Sequence, residues 1–474
     1  MSKPGSSSEN KHQNEVKVII DFKDNVERPD HCCIYKVPKK LRNINNDAYS
    51  PHIVSIGPYH HDQEKWDDVQ SKKEWKRVDM QSKKEWKWDD MQNLKKSYQK
   101  EIFENITKKE KLNDFVKKEE QHIRACYEDK FEGSFDFKEM ILDDAVFIIE
   151  LFLRNYHDDR RDFLVSKPWL TNAIKLDLQL LENQLPYFVL EELYMLAYGY
   201  GCSTRPSFLT LSCEFFGYKE LDREAKKIKH FVDLRRHTML VGVEIDPNIQ
   251  MSLGGKIEDL PSAVKLNESG VKFWVENKDS LKPGESRRKC KQDKENENEK
   301  GLLNIKFEKR ARKDSYIWWL RGRVLKIPHL KIEDGTECLF RNLMALEQCH
   351  YPFETRICNY IDLMDALINT RKDVDLLVDK KIISNCVGDH DSIKEMFNRL
   401  CLEITPSTSC YQRTCGELKK HHEIWWNRTK ATLISVYFEN LWRGTGTVAA
   451  AVLLLLTLLQ TIKRFYPALF TDPQ

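Results

Sequence analysis

Between Gly444 and Ile462 the chain reads GTGTVAAAVLLLLTLLQTI, a run without a single charge. Arg443 stands before it, and Lys463 with Arg464 after it. A helix needs about 20 predominantly apolar residues to cross the hydrocarbon core of a bilayer, and no other stretch of this sequence offers that. The run therefore predicts one C-terminal transmembrane helix over 441–464, marked by Gly444, Val448, Leu453, Leu459 and Ile462. Its partner is the lipid bilayer. A short tail, 465–474, follows, and everything ahead of it has to fold as a body outside the membrane.

Charge orients that body. Lys419, Lys420, Arg428, Lys430 and Arg443 precede the run, and only Lys463 and Arg464 follow. Basic residues favour the cytoplasmic side, and the opening MSKPGSSSENKHQNEVKVII has no apolar core of signal-peptide length. The expectation is a single-pass protein of the plasma membrane or endomembranes with a cytoplasmic body. Three tripeptides fit the glycan-acceptor pattern, at Asn105, Asn267 and Asn427, and would go unused on that side. Lys and Arg number 77 against 74 Asp and Glu. Such a balance argues against a dedicated nucleic-acid binder, which carries a basic excess. The 13 cysteines are odd in number and include no CxxC, so they read as reduced thiols and not as a disulfide framework.

The body, 27–440, follows a polar tail over 1–26 that reads as disordered. Cys33–Val37 and Ile53–Ile56 have strand character, the second stopped by Gly57-Pro58. Over 66–92 an eleven-residue unit, WDDVQSKKEWK, recurs as RVDMQSKKEWK and then in part as WDDMQ. Eleven residues suit helical and coiled-coil winding, and the charge of the unit marks a solvated insert. Met91, Leu94, Tyr98 and Ile102 then share a helical face, as do Leu112, Phe115 and Val116. FKEMILDDAVFIIELFLRN, Phe137–Asn155, is apolar nearly all round and predicts a buried helix. Asn172–Leu196 predicts two more, broken at Pro186. The stretch 276–300 is almost wholly polar and reads as a disordered insert. Short strands at Leu302–Phe307 and Val324–Ile332 precede a return to helices after Thr336. The expected class is mainly α with a few short strands, an α+β body with one membrane helix.

Little here announces chemistry. His31, His52, His60 and His61 stand near Cys32 and Cys33, but the spacing matches no zinc pattern. Gly254-Gly255-Lys256 lacks the rest of a phosphate loop, and no GxSxG elbow or kinase set occurs. Cys349-His350 are adjacent in sequence, which does not place them as nucleophile and base. Carboxylates do interrupt the apolar helices: Asp143, Asp144, Glu150, Asp177 and Glu182. Such groups serve acid–base catalysis, or they satisfy helix ends and interhelical hydrogen bonds. An enzyme of hydrolase type would bring Asp144, Glu182 and His60 to one pocket. The preferred expectation is a recognition, signalling or adaptor protein without catalytic residues, cofactor or metal, acting through protein partners.

Several phrases carry a resemblance. They are IYKVPKKLR with SPHIVSIGPYHH, MQNLKKSY, IRACY, MILDDAVFIIELF, DLQLLENQLPYFVL, LPSAVKLNESGVKF, LKIPHLKI and FRNLMALEQC, followed by the QTI-containing run. In this order they resemble the plant proteins grouped as domain of unknown function 247. The resemblance implies a mainly helical plant protein with a C-terminal membrane helix and no established enzyme activity. Some grass relatives are linked to self-incompatibility loci, which implies recognition or signalling. The repeat and the charged stretches at 276–300 and 309–321 depart from the family pattern.

Overall fold

Apolar residues recurring every three or four positions turn most of the described residues into helix. The computed structural model describes residues 31–62, 87–104, 106–131, 135–199, 205–218, 228–241, 257–275, 301–309, 323–406, 409–424, 429 and 441–465. The 1–26 tail, most of the eleven-residue repeat and the 276–300 insert lie outside them, as do Gly254–Lys256.

The first half is α1 (Lys39–Ile44), a 3-10 turn (Asp47–Tyr49), α2 (Trp88–Phe103), α3 (Ile106–Ala125), α4 (Phe137–Tyr156), α5 (Pro168–Asp177), α6 (Tyr187–Tyr198), α7 (Phe208–Phe216) and α8 (Phe231–Leu240). The second half mixes helix with short strands: α9 (Ala263–Glu268), β1 (Val271–Val275), β2 (Lys306–Lys309), β3 (Arg323–Ile327), β4 (Leu330–Ile332), α10 (Thr336–His350), α11 (Arg356–Leu367), α12 (Arg371–Asp379), β5 (Ile383–Asn385), α13 (His390–Leu400), α14 (Gln412–Glu423) and α15 (Leu441–Phe465). Strand β3 is central to a three-stranded sheet. It pairs parallel with β1, Val271 opposite Arg323, and antiparallel with β2, Phe307 opposite Leu325. Strands β4 and β5 pair parallel, Leu330 opposite Ile383. The protein is thus mainly helical with few short strands, as its periodicity predicts.

Among the described residues two hydrophobic cores form. The first is built on α4, whose Ile141, Phe147, Ile148 and Phe152 are fully buried; Phe152 stacks on Phe215 at 4.3 Å. Each such side chain contributes about 1.5–3 kcal/mol on burial. The second gathers α10, α11, α13 and the sheet around Phe340, Ile361, Phe397 and Leu325. Three stretches feed both. Cys33 and Ile34 enter the first core while Cys32 and Tyr35 enter the second; Leu178 and Leu185 face Leu181 across the same divide; and Phe231 with Leu234 opposes Val232 with Met239.

Some expectations need correcting. Neither Cys33–Val37 nor Ile53–Ile56 forms a strand. The first has only an isolated bridge, Ile34 to Tyr127, and the donors of the second go to side chains, as described below. The two helices expected over Asn172–Leu196 are separated by nine residues, 178–186, and not by Pro186 alone. The membrane span expected over 441–464 is not supported either. A helix of 25 residues covers the run, yet among the described residues no helix is long and apolar enough to cross a membrane. The side chains at 441–448, 451, 463 and 465 lie outside the described residues.

Candidate functional site

Residues 50–57 run through the interior without regular secondary structure. Buried backbone donors outside a helix or sheet must find other partners. Asp177, at the end of α5, accepts three of them: the amides of His52, Ile53 and Val54 at 2.8, 2.6 and 2.9 Å. Asn183 accepts from the Ile56 amide at 2.6 Å and donates to the Val54 carbonyl at 3.0 Å. Asp144 on α4 accepts from the Gly57 amide at 2.8 Å. Lys95 on α2 donates to the Ser55 carbonyl at 2.6 Å and forms an ion pair with Asp144, both side chains 2% exposed. Gly57 has a φ of +73°, and a Cβ there would stand 2.5 Å from the Gln184 carbonyl oxygen. Only glycine fits that approach.

Glu182 lies on the same side. It accepts from the Val37 amide at 2.7 Å and pairs with the Arg42 guanidinium, and His60 Nε2 is 3.4 Å away. Burial would raise its pKa, but hydrogen bonding from His60 and the charge of Arg42 outweigh that and hold it below the ordinary value. Of the three residues an enzyme would bring together, His60 and Glu182 therefore meet, while Asp144 is committed to Lys95. Asp143 is pushed up to about 6 by burial and by the neighbouring Asp144 charge. The histidines disperse. His61 packs between Trp88 and Phe135, and His31 lies against His122. Among the described residues no group of three His, Cys, Asp or Glu side chains is placed to hold a metal ion. His350 Nδ1 meets the Tyr35 hydroxyl at 2.8 Å.

Sequence reasoning missed a second buried polar cluster where α8 meets α10. Asp233 takes the Tyr351 hydroxyl at 2.8 Å and lies 3.4 Å from His237 Nδ1. Arg236 pairs with Glu347 at 3.0 Å, and Glu347 accepts from the amides of Ile357 and Cys358 that open α11. Asp233 and Tyr351 are 118 positions apart and Arg236 and Glu347 are 111, so no local signal reveals these two pairs.

Glu150 belongs elsewhere. With Tyr98, Arg154, Asp162, Tyr198 and Arg205 it lines a cleft of about 790 Å³ at the ends of α4 and α6. The proposed anchor residues all sit on α15: Leu453 is 65% and Leu459 49% exposed, Ile462 is half-buried, and the side chains of Gly444 and Val448 lie outside the described residues.

These features define a helical body whose buried carboxylates organise its own backbone. The profile of a family described as "Plant protein of unknown function" matches residues 34–456, and the chain belongs to that family, domain of unknown function 247. It is similar to two Arabidopsis thaliana proteins. UPF0481 protein At3g47200 is 28% identical over 91% of this chain and 85% of its own length. Putative UPF0481 protein At3g02645 is 22% identical over 90% of this chain and 89% of its own. No solved structure matches. The family's description attaches no biochemical activity to its members.

Proposed function

We propose that this is a recognition or adaptor protein without an enzymatic step, held at a lipid bilayer by α15, with its body on the cytoplasmic side. One observation carries the anchoring. Val452, Leu453, Leu454, Leu455, Leu456, Leu458 and Leu459 are 49% to 72% exposed. They span two helical turns, so the apolar surface runs all round the helix and not along one stripe. A helix apolar on every side belongs in an apolar surrounding. Two polar side chains in this part turn inward: Thr457 donates to the Leu454 carbonyl at 3.1 Å and Thr461 to the Thr457 carbonyl at 2.7 Å. That spares lipid from unpaired hydroxyls. The commitment of Asp144, Asp177 and Glu182 to backbone groups and ion pairs supports the non-enzymatic half. The basic residues ahead of the run support the orientation.

The full chain and a chain ending at Trp442 are to be compared by flotation with phosphatidylcholine liposomes after alkaline carbonate washing. The full chain is expected to float and the shortened one to stay in solution. Release of the full chain by carbonate would end the anchor reading. A glycan on Asn267, detected as a mobility shift on glycosidase treatment in plant cells, would reverse the orientation.

A further inference from the structure

The cleft between α2, α4, α6 and the 157–163 loop has the volume of a small-molecule site, about 790 Å³. Its wall is aromatic, with Tyr98, Tyr156, Phe163, Tyr194 and Tyr198. Tyr156 and Phe163 are 37% and 48% exposed, and so leave apolar area open to an occupant.

The carboxylates of the cleft are already engaged. Asp162 accepts the Tyr98 hydroxyl on both oxygens at 2.6 and 2.7 Å, the amides of Leu164 and Val165 at 2.8 and 2.9 Å, and Arg154 Nη1 at 3.0 Å. Glu150 accepts the Tyr198 hydroxyl and faces Arg154 at 3.8 Å. Arg154 itself lies over the Tyr98 ring at 4.2 Å. The arginines at the rim are engaged far less. Arg205, exposed, donates Nη1 to the Tyr198 carbonyl at 2.7 Å; Arg161, with its side chain 94% exposed, shares Nε with Asp159 at 3.3 Å. A guanidinium carries five N–H donors in a fork that fits a carboxylate. The cleft thus presents ring faces and donors, and the acceptors of Asp162 and Glu150 are occupied.

We propose that this cleft binds a small aromatic carboxylate, its ring packed on the tyrosine and phenylalanine wall and its carboxylate held by Arg205 and Arg161. A carbohydrate would call on acceptors that Asp162 and Glu150 no longer offer, and a cation would meet carboxylates already paired with Arg154 and Arg161. The proposal does not rest on the membrane reading, since α15 contributes nothing to the cleft.

The probes are 2-naphthoate and its uncharged counterpart 2-naphthamide, titrated calorimetrically into the full chain in detergent, with empty micelles as blank. The chain should bind naphthoate about tenfold more tightly than naphthamide, the gain of a charge-assisted pair. The R161Q/R205Q double variant, which alters only exposed side chains, should lose that preference while its thermal midpoint holds. Tyr156→Ala should weaken both probes. Equal affinity for the two probes, no binding of naphthoate at millimolar concentration, or an unchanged preference in the double variant would each overturn the proposal.

Discussion

The His230 imidazole is committed at both nitrogens. It is fully buried; Nε2 donates to the Cys33 carbonyl at 3.0 Å, and Nδ1 accepts the Asp233 amide at 3.3 Å, capping α8. That pattern needs the neutral ring, because a proton on Nδ1 would displace the capping amide. Burial pushes its pKa down to about 4, against the pull of Asp233. His350 is pushed to about 4 as well, by burial and then by the charge of Lys229. The sign follows from proton counting. An unfolded imidazole titrates near 6.5, so between about 4 and 6.5 the unfolded chain binds more protons. The stability is fully present above about pH 6.5 and is lost as pH falls toward 4. His237 opposes this, because its bond to Asp233 outweighs burial and raises its pKa; its term is present at low pH and lost as pH rises. For His230 the full loss is on the order of 3 kcal/mol. The urea midpoint is expected to drop between pH 6.5 and 5, against the opposing contribution of Asp143, raised to about 6, whose buried charge is relieved as pH falls. His230→Gln, which carries no titrating ring, should drop less. Equal slopes for the two proteins would show that His230 is not the sensor.

At the scale of elements, helices were legible where the apolar repeat is long. Phe137–Asn155 was expected and Phe137–Tyr156 forms, with Asp136 accepting the amides of Lys138 and Glu139 at its start. Met91, Tyr98 and Ile102 do share a buried face. The segment 53–56 was not legible in the same way. Ile, Val, Ser and Ile have strand propensity, but conformation there is set by Asp177, more than 120 residues away, and no local pattern reports that. Residues 178–186 stay out of helix for a related reason. The side chain of Asn183 bonds to the Asp177 carbonyl, and that of Gln184 to the Leu178 and Leu180 carbonyls, competing with the helical ladder. The carboxylates were therefore visible as unusual, but their role depends on what they reach. This gives a mutational test. Asp177→Ala strands three amides, two of them buried, each buried one costing about 1–3 kcal/mol, for a loss on the order of 4 kcal/mol. Asp177→Asn keeps one acceptor oxygen and should lose less. Guanidinium midpoints measure both, and an alanine variant as stable as the parent would mean that water or a shifted backbone serves these amides.

At the scale of the whole molecule, sequence periodicity gives helices but not how they divide into cores. The division follows from short stretches that face both ways: Cys32 with Cys33, Leu178 to Leu185, and α8. Polar contacts also tie the shared stretches to the second core. Leu181 N donates to Asn342 Oδ1 at 2.9 Å, Asn342 donates to the Ala48 carbonyl at 2.7 Å, and Arg236 reaches Glu347. Burial outweighs the pull of Arg236 on Glu347 and leaves its pKa above the ordinary value. The pair is thus weak evidence for net stability, yet breaking it on one side leaves a buried charge without its partner. Arg236→Met is expected to cost about 3–5 kcal/mol, and Glu347→Gln added to it should recover part of the loss, since the stranded charge is gone. Because the shared stretches belong to both cores, unfolding should remain one cooperative transition in every variant, read by circular dichroism and by tryptophan fluorescence. Two separated transitions in Arg236→Met would mean that the cores are independent and that α8 is a tether between them. A loss under about 1 kcal/mol would mean that Glu347 finds its partners elsewhere. Coincident transitions, a large single loss and partial rescue in the double variant together would identify α8 as the element through which each half of the body depends on the other.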